Sequence, residues 1–489
     1  MESTLASTLS IAQVQAAQRR RATALAMLVL VASLLAAGAI LLVPVVPPLT
    51  LLTWGLLVLI AWQPRIGLCV AFGMVVLFED GRLDQLMLPG AYFYGGLGNW
   101  VGLGGILPSP LELLLLLTTG SWLVAGIARR RLDFRGGRLL RPMLLFLAAL
   151  LFGVLRGLVA GAALNYVLWE CRFLFYAVIC YFLAANTVRR WAHVRHLITI
   201  LLIAATLFAI EGAYRKVALI DSGRLGVIPE FAYSHETVIF LGTLLLVVVA
   251  QHTFGAPWWQ RLFGLGAALI GGYTLLATER RAGYIALLVA FLALAMVLLV
   301  TKRKVFIWFV VPALVAFAIY LPLFWNNTGT FGQPARAVRS LYQPDPRDAA
   351  SNLDRELEKI NIQATIHANP LLGVGFGREF LFVVGMPDMS WWPLWHYEPH
   401  NNVFWIWLKT GLAGFICFLT LMGSAVARAA HTIRSARLPE ARVFGVLALG
   451  ALVSALVFSY VDLSLTSARV PVLIGTVMGT LAVLDDLTP

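Results

Sequence analysis

The hexapeptide 397–402 combines residue types that can carry out acid–base chemistry. Its histidine, His400, titrates near neutral pH and can accept a proton from a hydroxyl group. The hexapeptide ends a long polar segment and runs directly into an apolar stretch, so His400 is expected at a membrane face, between a water-exposed loop and a buried helix. We interpret His400 as a candidate general base, although an isolated histidine can also be purely structural. Glu398, Asn401 and Asn402 are candidate supporting residues.

The composition shows which kind of protein must position these residues. Hydrophobic residues make up 60% of the 489 residues and charged residues 12%, and the mean hydropathy is +0.84. These values are typical of a membrane protein and not of a soluble domain. Apolar runs long enough to cross about 30 Å of hydrocarbon as helices recur along the chain. We predict an all-α, polytopic membrane protein with about fourteen transmembrane helices, and at least twelve. The predicted spans lie near 23–43, 47–62, 65–78, 111–128, 143–161, 164–188, 198–214, 237–254, 262–278, 282–300, 305–325, 403–426, 443–461 and 470–485.

The positive charges predict the orientation of these spans. Clusters of arginine and lysine precede the first span and follow the fourth, sixth, tenth and twelfth, which all lie on one side of the membrane. The positive-inside rule makes that side cytoplasmic. The net charge of +13 therefore mostly reflects the basic residues of the predicted cytoplasmic loops. We expect no nucleic-acid partner. The predicted organisation is a cytoplasmic tail (1–22), a first group of helices (23–325), a large extracytoplasmic loop (326–402) and a last group of helices (403–489).

The large loop carries a helical pattern and a cluster of aromatic residues. Its apolar residues Leu353, Leu357, Ile360 and Ala364 recur at helical spacing, which predicts an amphipathic helix on the membrane surface. The aromatic cluster spans 391–397 and contains three tryptophans. Tryptophan favours the headgroup level, and it also stacks on sugars, so the cluster is either an interfacial belt or part of a glycan site.

Four of the arginines on the predicted outer side are notable candidates, because arginines there run against the positive-inside bias. Arg280 and Arg281 are adjacent in a tight turn, where two cations repel each other unless an anion lies nearby. A phosphate-bearing ligand would supply that anion, and the planar guanidinium group suits it. Arg224 lies in another outer loop, where it could be an ordinary surface cation. Arg172 lies within a predicted span, where it could pair with Glu170 or another buried acid.

Four segments resemble the O-antigen ligase and O-antigen polymerase superfamily. The block from His400 through Asn402, with the glycine-punctuated stretch 409–415, resembles the histidine-asparagine motif of that family, and 369–377 resembles the segment before it. The stretch 278–284 is similar to its serine-arginine-glycine helix start, with Arg280 where a small residue is commoner. The stretch 223–226 is similar to its arginine-containing outer loop, although 227–229 replace the usual asparagine-proline pair. The resemblance extends over roughly 165–425, and its block 369–415 is the most specific part.

The resemblance implies an enzyme of the bacterial inner membrane with its site at the periplasmic face. Such enzymes transfer a glycan from an undecaprenyl diphosphate carrier, with inversion at the anomeric carbon and without a metal or another cofactor. The acceptor hydroxyl would belong to lipid A-core, to another glycan or to a protein. His400 would be the base, and Arg224 and Arg281, with Arg280 and Arg172 in reserve, would bind the diphosphate.

Several activities remain open at this point. The chain could be a polysaccharide ligase, a polysaccharide polymerase or a protein O-oligosaccharyltransferase. A transporter such as a lipid-linked glycan flippase would also have many spans and buried charges. A transporter, however, would need ionisable groups distributed through the membrane depth, whereas most of the informative groups here gather at one predicted face.

Overall fold

The computed structural model of the chain describes residues 47–79, 91–96, 108–128, 130, 133–226, 232–390 and 392–488. Some sequence predictions fall outside these residues, namely the tail 1–22, the span 23–43, the residues 227–229 and Trp391. The described residues are α-helical, with irregular connections and one isolated bridge between Arg190 and Thr488. The all-α prediction is therefore confirmed.

The helices follow one another along the whole described chain. They are α1 (Pro47–Trp62), α2 (Pro64–Leu77), α3 (Ala91–Tyr94), α4 (Pro110–Ala128), α5 (Leu140–Val159), α6 (Leu164–Thr187), α7 (Trp191–Ile220, whose last six residues are a π-helix), α8 (Thr237–Phe254), α9 (Trp258–Ala277), α10 (Arg281–Thr301), α11 (Arg303–Phe324), α12 (Gln333–Arg339), α13 (Pro346–Ala368), α14 (Asn402–Ser435), α15 (Pro439–Val461) and α16 (Arg469–Val483).

Every predicted span that lies within the described residues coincides with a helix. Nine helices within the described ranges are long and apolar enough to cross a membrane. A multi-pass membrane protein is confirmed, and the number of fourteen spans stays a prediction. Helix α15 lies at the centre of the bundle, where it packs against α8, α10 and α14. The predicted loop corresponds to the segment 325–401, which joins α11 to α14 and contains α12 and α13.

Helix α14 is broken at Gly411, and a glycine-rich loop fills the break. Gly411 has a φ of 71°, inside the left-handed region, while the residues around it remain helical. The loop 369–377 packs against this break, where Leu412 N donates to Pro370 O (3.0 Å) and Val374 N donates to Leu408 O (2.8 Å). Irregular backbone between apolar helices is stable only when protein groups satisfy its hydrogen bonds, and here the loop and the broken helix satisfy each other.

The break explains why glycine stands at position 411. A Cβ atom there would lie 2.1 Å from the carbonyl oxygen of Leu371, and alanine also disfavours a positive φ. We therefore expect Gly411→Ala to destabilise the protein by about 2 kcal/mol or more, from backbone strain and the steric clash. The measurement is the thermal unfolding midpoint of the purified protein in detergent.

Gly423→Ala is the matched control for this prediction. Gly423 lies on the same helix, and a Cβ atom there would meet no atom within 4 Å. Alanine at an open helical position should leave the midpoint unchanged or raise it, because glycine costs a helix interior up to about 1 kcal/mol. Equal midpoints for the two variants would contradict the account of the break.

Candidate active site

Helix α13 carries the polar residues that build the site. Asp345 caps its N-terminus by accepting a hydrogen bond from Asp348 N (2.8 Å). Its buried residues include Asp348, Glu358 and Asn361, which lie on one face at helical spacing. The predicted amphipathic helix is thus present, and its buried face combines these polar residues with the apolar Ile362 and Ile366.

The apolar stripe of α13 faces outward. Leu353 is 58% exposed and Ile360 is 38% exposed, and both belong to the stripe that the sequence pattern identified. An outward apolar face is compatible with the predicted position at a membrane surface, which remains a prediction. Sequence periodicity located the helix correctly, while the chemistry lies on its opposite face.

His400 is held by a buried carboxylate of α13. Glu358 Oε2 accepts a hydrogen bond from His400 N (2.9 Å), and Glu358 Oε1 lies 3.1 Å from His400 Nδ1. Glu358 is 2% exposed, whereas the His400 side chain is 23% exposed. A hydrogen bond at Nδ1 fixes the ring and leaves Nε2 as the nitrogen that can take a proton.

The surroundings raise the pKa of His400. Burial alone would lower it, but the hydrogen bond to Glu358 and the negative charges of Glu358 and Asp462 outweigh burial and favour the imidazolium form. The pKa of His400 therefore lies above its ordinary value, so this histidine is a stronger base than a solvated one.

A second buried carboxylate, Asp462, follows α15 and lies close to two arginines and a histidine. Its oxygens lie 3.0 Å from His235 Nδ1, 3.4 Å from Arg355 Nη2 and 3.9 Å from Arg280 Nη1. Burial would raise the pKa of Asp462, but the charges of His235 and Arg355, together with that of His400, hold it well below its usual range. Asp462 and His235 were missed by the sequence analysis.

The two asparagines after His400 have distinct structural roles. Asn401 caps α14 by accepting a hydrogen bond from Phe404 N (3.0 Å). Asn402 is fully buried, and its Oδ1 accepts hydrogen bonds from Ser464 N and Leu465 N, both at 2.8 Å. Asn402 therefore connects the start of α14, next to His400, with the loop that begins at Asp462 through hydrogen bonds.

The turn between α9 and α10 separates the two adjacent arginines. Glu279 in this turn has a φ of 55°, a conformation that non-glycine residues rarely adopt. Arg281 lies 3.5 Å from Asp348 and 3.3 Å from the side-chain oxygens of Ser340 and Asn352. Arg280 instead donates to Tyr233 O (2.9 Å) and lies near Asp462. The protein itself thus supplies carboxylates to both arginines, where the sequence suggested an anion from a ligand.

The other two candidate arginines lie apart from His400. Arg172 Nη1 lies 3.8 Å from Glu112, so it pairs with a different acid from Glu170. Arg224 is exposed in the turn after α7, and none of the described residues forms an ion pair with it. Its neighbour Leu225 packs with Ala277, which places this turn beside the one that holds Arg280 and Arg281.

Glu170 belongs to a buried polar cluster beneath the site. It forms an ion pair with Lys409 (2.7 Å) and accepts a hydrogen bond from Trp405 Nε1 (2.8 Å). Glu398, a predicted supporting residue, is buried and interacts electrostatically with both members of this pair. Burial, and after it the charge of Glu170, raise the pKa of Glu398 well above its usual range.

The segment that contains most of these residues matches a known family. Residues 266–419 match the O-antigen ligase family model. This match confirms the resemblance to the O-antigen ligase and polymerase superfamily. No curated protein matches the chain. The match and the apolar helices together support a multi-pass membrane protein of the glycosyltransferase type.

The matched segment accounts for only part of the site. It includes Arg280, Arg281, Glu358 and His400, as well as the glycine loop. Arg224, His235 and Asp462 lie outside it and are brought to it by the folding of α7, α8 and α15.

The contacts of the two asparagines predict unequal losses of stability. Asn402→Ala leaves two buried backbone N–H groups without an acceptor, which should cost about 2 to 4 kcal/mol. Asn401→Ala removes an N-cap and should cost about 1 kcal/mol. Thermal unfolding midpoints of the two variants, measured side by side, should show the larger drop for Asn402→Ala. A larger drop for Asn401→Ala would contradict the role given to Asn402.

Proposed function

We propose that the protein is a membrane glycosyltransferase that moves a glycan from an undecaprenyl diphosphate carrier to an acceptor hydroxyl at the periplasmic face. The observation that carries this proposal is His400, held at Nδ1 by buried Glu358 of α13, the helix whose Asp348 also pairs with Arg281 of the α9–α10 turn. The family match supports the type of reaction. The arginine and lysine clusters support the orientation.

In the proposed reaction, His400 Nε2 takes the proton of the acceptor hydroxyl as its oxygen attacks the anomeric carbon. The bond from that carbon to the carrier diphosphate breaks, and the configuration inverts because attack is opposite to the leaving group. Glu358 stabilises the imidazolium that forms. No covalent glycosyl-enzyme is needed, and the residues named here act without a metal.

The arginines differ in how they could meet the leaving diphosphate. The Arg281 side chain is 27% exposed and shares its guanidinium among neutral and acidic oxygens, so it can offer an N–H group to a phosphate. Arg224 is exposed in the turn after α7, whose Leu225 packs near the α9–α10 turn. The Arg280 side chain is only 11% exposed and is engaged with Asp462, so we assign it a positioning role. Arg172, paired with Glu112, is the least direct candidate.

The acceptor separates three versions of this function, and a deletion strain distinguishes them. Mass spectrometry of its surface glycans and lipid-linked intermediates should show long carrier-linked chains if the protein is a ligase that acts on lipid A-core. Single carrier-linked repeats would indicate a polymerase, and loss of glycan from proteins would indicate a protein O-oligosaccharyltransferase. Unchanged glycans and unchanged intermediates would contradict the proposed function.

The first prediction from this mechanism concerns His400. His400→Ala should reduce transfer from the lipid diphosphate donor by about 10²–10⁴-fold, because it removes the general base. Transfer by the purified variant is the measurement, with its unfolding midpoint as a check on folding. His367→Ala is the matched control, since His367 is an exposed histidine in the last turn of α13, outside the Glu358–His400 pair. Similar activities of the two variants would assign His400 a structural role.

The second prediction concerns Arg281. Arg281→Lys keeps the positive charge and loses the planar fork, so it should weaken donor binding and transfer, and Arg281→Ala should weaken both further. Arg347→Ala is the control, because Arg347 is an exposed arginine next to Asp348 on α13. Donor affinity is measured with the lipid diphosphate. A loss confined to the acceptor side, with donor affinity unchanged, would contradict the assignment of Arg281 to the diphosphate.

A further inference from the structure

A basic cleft lies at the opposite end of the bundle from His400. It has a volume of about 620 Å³ and opens between the C-terminal ends of α10 and α14 and the start of α15. The polar residues that line it are Thr301, Lys302, His431, Arg434, Ser435 and Arg442.

The charge of this cleft is one-sided. Lys302, Arg434 and Arg442 carry permanent positive charge there, and no carboxylate lines the cleft within the described residues. The nearby carboxylate of Glu440 is paired with Arg195 (3.2 Å). Three cations in one concave surface attract an anion strongly, because the low-dielectric walls focus their field.

One of the cations is already fixed in place. Arg442 Nε donates a hydrogen bond to Ala436 O (2.7 Å), and its guanidinium lies 5.6 Å from the centre of the Phe254 ring. The two contacts hold the guanidinium at the wall of the cleft, so little side-chain entropy is lost when it binds an anion.

The position of the cleft indicates which anion it meets. Helix α10 starts at Arg281 in the candidate active site and ends at the cleft, and its 21 residues span about 32 Å. That length matches the hydrocarbon thickness of a bilayer, so the cleft lies at the headgroup level of the other leaflet. The apolar surface of α10 leads into it, with Met296 65% exposed and Val300 68% exposed.

We propose that this cleft binds the phosphate group of an anionic glycerophospholipid, whose acyl chains lie along α10. Lys302 and Arg434 contact the phosphate, Arg442 forms the fixed wall, and the hydroxyl of Ser435 is a further donor. Basic pockets between transmembrane helices are suited to such headgroups. The site is separate from the transfer chemistry, and its occupancy does not depend on the proposed function.

The test uses the purified full-length protein in a neutral detergent. Phosphatidylglycerol, phosphatidylethanolamine and inorganic phosphate are added in parallel, and binding is followed by native mass spectrometry and by the thermal unfolding midpoint. The Lys302→Gln/Arg434→Gln double variant removes two cations of the cleft. The control is Arg303→Gln/Lys304→Gln, which removes two exposed cations that lie next to Lys302 and do not line the cleft.

The proposal expects phosphatidylglycerol to bind the wild-type protein and the control alike. The Lys302→Gln/Arg434→Gln variant should bind it at least about tenfold more weakly, since each basic residue near a headgroup contributes measurably to binding. Equal weakening in both double variants would show general surface electrostatics and overturn the site. Equal binding of phosphatidylethanolamine, or stabilisation by inorganic phosphate without binding of the lipid, would overturn the assignment of the ligand.

Discussion

The pairing of buried carboxylates with cations governs how this end of the molecule is built. Glu358 and Asp462 are each almost fully buried, and an unpaired charge at such a place would cost several kcal/mol. Glu358 therefore pairs with His400, and Asp462 pairs with His235 and Arg355. Glu358 and Arg355 both lie on α13. The ion pairs that they form therefore also hold α13 against the ends of the transmembrane helices, and the contact of Glu358 orients the candidate base.

Further contacts between α6, α14 and the loop after α15 hold the elements that carry these carboxylates and His400 in place. The ion pair between Glu170 and Lys409 joins α6 to the first part of α14, just before the break at Gly411. The glycine loop fills that break, and Asn402 ties the start of α14 to the loop after α15. The segment that carries His400 is therefore held on one side by the packing of α14 and on the other side by α13. A general base requires such a preorganised position.

The sequence predicted the apolar helices and the amphipathic helix, and it singled out His400 as a candidate, because periodicity and the switch from polar to apolar residues are local signals. Glu358 and Asp462 gave no such signal, since their significance depends on His400 and on cations far away in sequence. The hydrophobic pattern of α13 drew attention to Leu353 and Ile360, whereas the polar residues on the buried face, such as Glu358, are recognisable only once their partners are in place. Glu170 likewise pairs with Lys409, 239 positions later in the chain, and not with its neighbour Arg172.

The central claim is that Glu358 sets the orientation and the pKa of His400, and the pH dependence of transfer by Glu358→Gln tests it most directly. In the proposed mechanism the neutral imidazole is the active form, so wild-type activity should fall as the pH drops through the raised pKa of His400. Glutamine keeps a hydrogen-bond acceptor and removes the charge, which lowers that pKa and should move the acidic limb of the profile to lower pH, with a reduced maximal rate. Glu356→Gln, an exposed substitution on the same helix, should keep the wild-type profile. An acidic limb at the same pH in wild type and Glu358→Gln would contradict the account.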